Sequence, residues 1–529
     1  MPRSKKAAHI HPTAASIKRQ RTIRLTRVMT RAAYLQQRGK DEEVYTLVCN
    51  EFVKLGGIYV KFLQGVLLNS SIMKKWQSPD KLKIFEGLDY QSINIVELLR
   101  GELPPDQLKE IALIQPEPFA AGSFGQVYYG KHIDGTPIVI KVLRPMVREL
   151  LQYDLRLLSL FTRFFVNRQY QNMDVQLDDA IKDFRRATLA ETDYIGEAQF
   201  ASDLHAAYRS NESLIIPRTY LELCTPQIIV QEYIDGISVA QLLELREKQD
   251  VDPVSYVKEK LGSDLIAQMQ TLGVASLTAS FDLPKIQGDP HPGNIRLLPD
   301  NKIALIDFGI AAPAPHDRAA FFSLLREWSL LYNGQENIVN LFEEYMRFFV
   351  NDLYRALKKL ASLRPNSGTT PQKNLIKDVG RIIQDIFTNA VGTNDLRAIL
   401  EDGRILQTFN QTVNKGNRFG FIMRFESSEI LRAAQTYMST VEALGLRKEV
   451  LPQVFAEVVS QVRVKHPEYT TNNEKSLTVS DALEVINGWL ERVATRDPVL
   501  FRQLMQQLSA SGYGKVKPKV QPKETENHA

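Results

Sequence analysis

The chain has 529 residues, of which 44% are hydrophobic and 24% are charged. This is the composition of a globular protein, and the length is too great for a single core. The longest apolar stretches are interrupted by charged residues, so neither a membrane-spanning helix nor a secretory signal is predicted. The only cysteines, Cys49 and Cys224, lie far apart in the sequence, which argues against a disulfide framework and a zinc site.

The basic charge is concentrated at the two ends of the chain. Residues 1–40 hold eleven Lys/Arg and no Asp/Glu, and residues 511–529 hold four lysines against two glutamates, so the remainder is acidic. We expect a basic flexible arm over 1–22 and a disordered tail over 511–529. Three interpretations of residues 1–40 are open: contact with an anionic membrane, contact with nucleic acid, and a solvated lead-in without a partner, which is slightly favoured. Tyr34 is the only aromatic residue of this stretch, which disfavours nucleic acid.

The predicted elements form helical, mixed and helical regions in that order. Residues 23–103 are predicted to be a helical extension, since apolar residues recur at helical spacing. A mixed core over 104–334 follows, and residues 335–510 are predicted to be helical. Four segments of the core have strand character and predict about five strands in one small sheet: Phe119 to Lys131, Ile138 to Leu143, Leu214 to Tyr220, and Ile228 to Tyr233.

A loop of small residues opens this core. Small side chains allow backbone N–H groups to approach phosphate closely. A few residues later, Lys141 ends an apolar strand, where an unpaired charge would be costly. We therefore predict that Lys141 pairs with phosphates of ATP and with a carboxylate on the following helix. The residues assigned to the nucleotide are Ala120, Ala121, Gly122, Ser123, Phe124, Gly125, Val127 and Lys141, together with Glu232 and Tyr233 at the end of a later strand.

The strongest signal is the segment from Gly288 to Asn294, followed by Asp307-Phe308-Gly309. Between them, two short apolar runs flank Pro299-Asp300-Asn301, which predicts a β-hairpin. The hairpin would place Asn294 and Asp307 on the same side of a rigid support. An amide oxygen and a carboxylate are hard ligands suited to Mg²⁺, which also keeps phosphate oxygens in its shell.

The spacing of these residues resembles that of protein kinases. Asp289 stands five residues before Asn294, and Asp307 thirteen residues after it. The resemblance implies that Asp289 orients or deprotonates the phosphoryl acceptor, while Asn294 and Asp307 bind the metal. It also implies an α+β, bilobal protein-kinase-like fold, with a five-stranded N-lobe sheet, a helical C-lobe and ATP between the lobes.

Further motifs resemble those of the UbiB/AarF-like atypical kinases, over about residues 23–330. The marks are an ExD motif (Glu191, Asp193), the Ala-rich loop, the DPHPGN segment and an N-terminal KxGQ-like motif (Lys61, Gln64). The resemblance implies that Lys61 meets Glu191, with its helix lying over the site where a peptide would dock. It also implies that Lys141 and Glu197 form the strand–helix ion pair.

The same resemblance implies ATP and Mg²⁺ as cofactors and a role in isoprenoid-quinone or lipid metabolism. Three residues depart from the family pattern: Leu63 replaces the KxGQ glycine, Gly122 replaces an alanine of the loop, and Gln287 stands where protein kinases have the HRD histidine. No APE-type motif follows Gly309, which argues against protein phosphorylation. The predicted location is cytoplasmic, with peripheral membrane contact and organelle import both left open.

Two alternatives remain open at this stage. One is a small-molecule phosphotransferase of the aminoglycoside or choline kinase type, which would be favoured if Lys61 lay far from the nucleotide residues. The other is a nucleotide-binding scaffold without turnover. The sequence indicates neither the phosphoryl acceptor nor the oligomeric state.

Overall fold

The computed structural model describes residues 13–63, 93–122, 124–144, 146–169, 184–186, 188–335, 338–349, 425–470, 479–496, 501–502 and 505. The predicted site residues Gln64 and Ser123 lie outside the described residues, as do the first twelve residues and the tail from 511. The chain divides into two compact units. Unit 1 contains residues 1–210, 216–234 and 307–310, and unit 2 contains the rest.

Unit 1 combines an N-terminal helical layer with one antiparallel sheet. Its helices are α1 (Ala14–Gln37), α2 (Asp41–Leu55), α3 (Ile58–Phe62), α4 (Ile95–Glu102), α5 (Pro105–Leu108), α6 (Val147–Gln169) and α7 (Tyr194–Tyr208). Its strands are β1 (Ile111–Ile114), β2 (Ala120–Ala121), β3 (Gly125–His132), β4 (Pro137–Leu143) and β6 (Ile228–Glu232). The short strand β5 (Leu214–Ile215) belongs to unit 2.

Helix α1 begins well inside the segment predicted to be a flexible arm. The Thr13 hydroxyl caps its first turn by accepting from the backbone N–H of Ser16 at 3.3 Å, which satisfies one of the free donors at a helix start. One face of α1 is buried, at Leu25, Val28, Ala32 and Leu35. Arg21 of the same helix forms an ion pair with Asp154 of α6. The boundary expected at residue 22 therefore has to be corrected to the start of the helix at Ala14, because these contacts fix α1 to the rest of unit 1.

The sheet of unit 1 has five strands, as predicted, in the order β1-β3-β4-β6 with β2 beside β3. Its membership differs from the prediction. The run beginning at Leu214 forms β5, which pairs in parallel with residues 303–304 of unit 2. The fifth strand of the sheet is instead β1, which pairs with the edge of β3 opposite β4. The strand β1 has only four residues and is separated by two residues from the single turn of α5, so its length does not mark it in the sequence.

Alternation along β4 separates the core side of the sheet from the side that carries Lys141. Ile138, Ile140 and Val142 are fully buried, in a cluster that includes Tyr128 and other residues of unit 1. Because successive side chains of a strand point to opposite faces, Lys141 lies on the other face. There it stands opposite Val127 of β3 and Ile229 of β6 in the strand register.

Unit 2 consists of two small sheets and a set of helices. Its remaining strands are β7 (Ile237–Ser238), β8 (Lys285–Gln287), β9 (Ile295–Leu297), β10 (Ile303–Leu305) and β11 (Ala311–Pro313). They form a four-stranded sheet in the order β5-β10-β9-β7 and a pair β11-β8. Its helices are α8 (Val239–Gln249), α9 (Pro253–Leu261), α10 (Leu265–Asp282), α11 (Arg318–Tyr332), α12 (Ile338–Phe349), α13 (Phe425–Ala443), α14 (Arg447–Lys465), α15 (Pro467–Thr470) and α16 (Val479–Arg496).

The predicted hairpin around Pro299-Asp300-Asn301 is confirmed by the antiparallel pairing of β9 and β10. Asp300 and Asn301 have φ values of 58° and 57°, a conformation that Asp and Asn tolerate better than most residues. The Asn301 side-chain oxygen also accepts from the backbone N–H of Asp264 at 2.6 Å. The turn is therefore held to the start of α10 as well as by its own strands.

The described parts of residues 335–510 are helical, as predicted. Helix α13 packs against α10, where the Tyr437 hydroxyl donates to the Met269 carbonyl at 2.7 Å. A Cβ added at Gly273 would lie 2.3 Å from that hydroxyl, so the small residue is required for the close approach. Within the described segments, no helix is both long enough and apolar enough to cross a bilayer.

Candidate nucleotide site

Lys141 is held between two carboxylates in unit 1. Its ammonium donates to Glu197 Oε1 at 2.8 Å and to Asp307 Oδ2 at 3.0 Å. The exposed fractions of the side chains are 13% for Lys141 and 6% for Glu197, whereas Asp307 is 43% exposed. The predicted strand–helix pair is thus present, and the carboxylate of the DFG segment joins it.

The charges of this trio affect one another. Burial acts to lower the pKa of Lys141, but the carboxylates of Asp307 and Glu197 outweigh it and raise that pKa. Burial raises the pKa of Glu197, although Lys141 opposes the effect. Lys141 therefore stays an ammonium at every physiological pH, which a group that binds phosphate requires.

The Ala-rich loop forms a tight turn between β2 and β3. Ala120 pairs with Val127, and the Gly122 N–H donates to the Gly125 carbonyl at 2.9 Å. A Cβ at Gly125 would lie 2.7 Å from the Tyr194 hydroxyl and 2.8 Å from the Val142 carbonyl oxygen, whereas one at Gly122 would meet nothing within 4 Å. Glycine is therefore needed at the second position and not at the first.

Not every residue assigned to the loop faces outward. Ala120 and Ala121 are exposed, but Phe124 is only 8% exposed and belongs to the core of unit 1. The Lys61 ammonium lies 5.3 Å from the centre of the Phe124 ring, within the range of a cation–π contact. Phe124 thus links the Ala-rich loop to the KxGQ-like helix.

Lys61 of α3 forms an ion pair with Glu191, the first acid of the ExD motif. Both side chains are 26% exposed. The second acid, Asp193, is the N-cap of α7 and accepts from the Gly196 N–H at 3.1 Å. The ExD segment therefore has two structural roles, since Glu191 holds Lys61 and Asp193 starts the helix that carries Glu197.

Leu63, the departure from the KxGQ glycine, is fully buried in the core beside α3. The position therefore accommodates a large apolar side chain.

Glu232 and Tyr233 lie at the end of β6 in unit 1. The Glu232 carboxylate accepts from the backbone N–H of Arg218 at 3.3 Å, and the Tyr233 N–H donates to the Pro137 carbonyl at 2.9 Å. The Tyr233 ring packs edge-on against Tyr129 at 5.3 Å and Phe119 at 6.3 Å. These two residues thus belong to an aromatic and hydrogen-bonded strand end, and their contact with a nucleotide remains a prediction.

Asp289 and Asn294 lie in unit 2, between β8 and β9. The Asp289 N–H donates to the Gln287 side-chain oxygen at 3.3 Å. The Asn294 side-chain amide donates to the Asp289 carbonyl at 3.2 Å, and its backbone N–H donates to the His291 carbonyl at 2.9 Å. Gln287, in place of the HRD histidine, therefore supports the loop by an amide oxygen.

The predicted residues thus form two groups. Unit 1 brings together Lys141, Glu197 and Asp307, and it also contains the Lys61–Glu191 pair. Unit 2 brings together Asp289 and Asn294. That both groups bind the same nucleotide and the same metal ion remains a prediction.

Sequence reasoning missed Tyr194, whose hydroxyl lies against Gly125. Its position directly after the ExD motif was the available signal. Burial raises the pKa of Tyr194, so this hydroxyl stays neutral beside the loop.

A family model, the ABC1 atypical kinase-like domain, matches residues 90–340. Among curated proteins, the chain is 30% identical over 289 residues to ACTIVITY OF BC1 COMPLEX KINASE 1, chloroplastic, of Arabidopsis thaliana, which covers 52% of this chain and 39% of that protein. It is 26% identical over 406 residues to the probable protein kinase UbiB of Azotobacter vinelandii, which covers 76% of this chain and 67% of that protein.

The chain spans less than half of the first two curated relatives, 39% of one and 36% of the other. Among solved structures, it resembles the Rv3197–erythromycin complex from Mycobacterium tuberculosis, with 18% identity and a TM-score of 0.43. That alignment covers 83% of this chain and 98% of the other.

Proposed function

We propose that the chain binds ATP with Mg²⁺ and transfers or hydrolyses its terminal phosphate. The proposal is supported by the match of the ABC1 atypical kinase-like domain to residues 90–340 and by the similarity of the chain to UbiB and aarF domain-containing kinases. The observation that carries the proposal is the buried Lys141 ammonium, hydrogen-bonded to Glu197 and Asp307. A lysine on a central strand, oriented by a helix carboxylate, is the arrangement that protein kinases use to hold phosphates.

Each of the predicted site residues would have one task. Lys141 would hold phosphate oxygens, and Glu197 would keep its ammonium in place. Asp289 would orient the acceptor hydroxyl and accept its proton on the carboxylate. Backbone N–H groups of the loop from Ala120 to Gly122 would approach the phosphates, because small side chains leave them accessible.

Asn294 and Asp307 would hold Mg²⁺, and their donor atoms fit it. Both offer hard oxygens, and the Asn294 amide nitrogen is already used on the Asp289 carbonyl, so its oxygen is the atom left to accept. Mg²⁺ needs few protein ligands, because it completes its shell with water and phosphate oxygens. Bound Mg²⁺ neutralises charge that develops on the phosphates.

We further propose that the acceptor is a small molecule or lipid of isoprenoid-quinone or lipid metabolism, or water, and not a protein. One observation supports this. After Gly309 the chain passes through β11 to α11, whose first turn is capped by Asp317, with no APE-type motif. A separate observation concerns the alternative of an aminoglycoside-type enzyme: for such an enzyme we expected Lys61 to lie far from the loop, but the Lys61–Glu191 pair lies beside Phe124.

The test measures ATP affinity and ATP turnover separately. We expect Lys141→Met to lose most ATP affinity, while the matched variant Lys131→Met, an exposed lysine on the adjacent strand β3, keeps it. Removal of Mg²⁺ by chelation should reduce turnover to background. Equal ATP affinity of the two lysine variants would contradict the proposal.

One observation favours the alternative of a nucleotide-binding scaffold. Asp307, a proposed metal ligand, is hydrogen-bonded to Lys141, and a protein that kept this contact with nucleotide bound would not hold the metal for turnover. The variant Asp307→Asn separates the two functions. If wild type and variant both bind ATP and both hydrolyse it only at background rate, the chain is a scaffold. A rate above background that the variant loses identifies an enzyme.

A further inference from the structure

A cavity of about 70 Å³ lies inside unit 2. Its walls come from helices α10, α11, α12, α13 and α14 and from strand β8 with the loop that follows it. Helices α13 and α14 lie beyond residues 90–340, the part of the chain that matches the family model. The cavity is therefore formed partly by C-terminal helices to which the proposed function gives no role.

The cavity exists because small side chains share its wall with large rings. Ser280 of α10 and Ala433 and Ala434 of α13 contribute the small side chains. From α11 and α14, the rings of Trp328 and Phe455 stack on each other with their centres 5.8 Å apart. Rings that are fixed in this way cannot collapse toward small neighbours, so space remains where a close-packed core would have none.

The wall contains a buried hydroxyl that lacks a hydrogen-bond partner. No charged side chain lines the cavity in the described part of the chain. The Tyr437 hydroxyl is used on the Met269 carbonyl, and the Gln287 side-chain oxygen accepts from the Asp289 N–H. The Ser280 hydroxyl, in contrast, is fully buried and has no hydrogen-bond partner among the described residues. An unpaired buried hydroxyl is costly, so a ligand that brings an oxygen to Ser280 would be stabilised.

The cavity reaches the surface between α10 and α13. Most of its lining residues are buried, but four are half-buried: Ser276 and Leu277 of α10, and Ala434 and Met438 of α13. Ser280 stands one turn further along α10 than Ser276 and is fully buried, so it lies deeper than the opening. Met438 has an unbranched, flexible side chain, which can move to admit a ligand here.

We propose that this cavity binds the hydroxyl end of an uncharged aliphatic alcohol. The alcohol oxygen pairs with the Ser280 hydroxyl, and the hydrocarbon chain leaves between α10 and α13, past Leu277 and Met438. An apolar cavity of about 150 Å³ holds benzene, with its six carbons, so a cavity of about 70 Å³ holds roughly three carbons of such a chain. Any further carbons extend through the opening.

The chemistry of the wall disfavours other classes of occupant. A charged group would be buried without a counterion, and a sugar would bury several hydroxyls, most of which would find no partner. Water molecules need about two to four polar partners each, which a largely apolar wall does not provide. A hydrocarbon without oxygen would fit the space, but it would leave the Ser280 hydroxyl unpaired.

The cavity adjoins the loop that carries Asp289. Gln287 and Pro290 line it, and the Gln287 side-chain oxygen accepts from the Asp289 N–H at 3.3 Å. A bound chain that packs against Gln287 restricts its side chain and so stabilises this hydrogen bond. None of the residues assigned to nucleotide or metal lines the cavity, so alcohol binding does not depend on the proposed function.

The first test measures the affinity of the full chain, without nucleotide, for ethanol, propan-1-ol, butan-1-ol and pentan-1-ol by saturation-transfer NMR. Each buried methylene contributes roughly fourfold in affinity, so we expect this gain per carbon up to about propan-1-ol and a smaller gain beyond it. Glycerol has the carbon chain of propan-1-ol with additional hydroxyls, and it should bind roughly tenfold more weakly or not at all. Equal affinities for glycerol and propan-1-ol would overturn the proposal.

Two pairs of matched variants locate the site. Ala434→Leu fills the opening and should abolish binding of propan-1-ol. Its control, Ala443→Leu, changes an exposed residue of the same helix that does not line the cavity, and it should keep binding. Ser280→Ala should weaken binding roughly fivefold, the contribution of one hydrogen bond, without lowering the melting temperature. Its control, Ser276→Ala, changes a half-buried hydroxyl at the opening and should weaken binding less.

Hydrogen exchange of the Asp289 amide is the second readout. We expect slower exchange when butan-1-ol is saturating, and no such change in Ala434→Leu. Equal affinities within either pair of variants would overturn the site, and unchanged exchange at saturation would overturn its link to the loop. The Ser280 pair keeps the test decisive if Ala434→Leu does not fold. Because these measurements use no nucleotide, they can fail while ATP binding persists, which separates this proposal from the proposed function.

Discussion

One buried carboxylate contributes to the attachment of α1 to unit 1, and its neutralisation gives a sharp prediction. The side chain of Asp154 is 3% exposed. It accepts from the Tyr59 hydroxyl at 3.0 Å and from the Arg21 guanidinium. The change Asp154→Asn keeps the size of the side chain, but it leaves the charge of Arg21 without its partner.

The free-energy cost depends on how exposed each partner of the ion pair is to water. Removal of one member of a buried ion pair costs roughly 3–5 kcal/mol. The Arg21 side chain is 20% exposed and is partly hydrated, so we expect about 2–3 kcal/mol, at or below the lower end of that range. Burial already lowers the pKa of Arg21, as expected for a guanidinium that is incompletely hydrated.

The same helix supplies a matched control three residues further on. Arg24 pairs with Glu51, and these side chains are 38% and 18% exposed. An exposed pair contributes at most about 1 kcal/mol, so Glu51→Gln should cost no more than that.

The assay is urea unfolding of both variants, with hydrogen exchange of the α1 amides as a local readout. We expect a lower urea midpoint and faster exchange in α1 for Asp154→Asn, and near-wild-type behaviour for Glu51→Gln. The triple change Arg21→Met, Tyr59→Phe and Asp154→Leu should recover most of the loss, because apolar side chains of similar volume can replace a buried ion pair and Tyr59→Phe removes the hydroxyl that Asp154 accepts from. Equal costs for the two single variants would refute the reasoning from burial.

Two other predictions concern the loop and the C-terminal helices. Gly125→Ala should lower the melting temperature and cost roughly 1–3 kcal/mol, because the added Cβ would lie 2.8 Å from the Val142 carbonyl oxygen. Gly122→Ala is the control and should be tolerated, because its Cβ would meet nothing within 4 Å. Equal melting temperatures of the two variants would contradict this prediction. Burial acts to raise the pKa of Asp282, but hydrogen bonds from Lys465 and the adjacent histidine lower it below its usual 3.8. The stability that this carboxylate contributes is therefore present above pH 3.8 and is lost as the pH falls through its lower folded value. Asp282→Asn should remove that part of the acid limb in a pH series of melting temperatures, and an unchanged acid limb would show that the contact contributes nothing.

Local chemistry allowed the central features of the site to be predicted. The hairpin between β9 and β10 was predictable because Pro299, Asp300 and Asn301 favour a turn between two apolar runs. A carboxylate partner for Lys141 was predictable because an ammonium in an apolar strand needs one, whereas the choice of Glu197 came from the resemblance to the UbiB/AarF-like kinases. In the first case the physical cause lies within a few neighbouring residues, and in the second it is the free-energy cost of burying an unpaired charge.

Contacts between distant parts of the chain explain what was not predicted. The arm boundary was misplaced because Arg21 is fixed by Asp154, which lies 133 residues away. The membership of the sheet was wrong because β5 has only two residues, and the partner strand decides to which sheet so short a segment belongs. The buried position of Phe124 likewise depends on α3 and α7, which pack over the loop in the core of unit 1.

A series of contacts in unit 1 connects the N-terminal helix α1 to the Ala-rich loop. Arg21 of α1 and Tyr59 of α3 meet on the same carboxylate, that of Asp154. Tyr59 stands two residues before Lys61, and α3 has only five residues, so a displacement of Tyr59 must also move Lys61.

Lys61 in turn holds Glu191 and lies against Phe124. Loss of the contact between α1 and Asp154 would therefore displace Lys61, and with it the loop, through the short helix α3. It follows that Asp154→Asn should change ATP affinity as well as stability, whereas Glu51→Gln, which leaves Tyr59 in place, should change neither. An unchanged ATP affinity in a folded Asp154→Asn variant would show that α3 holds its position without α1.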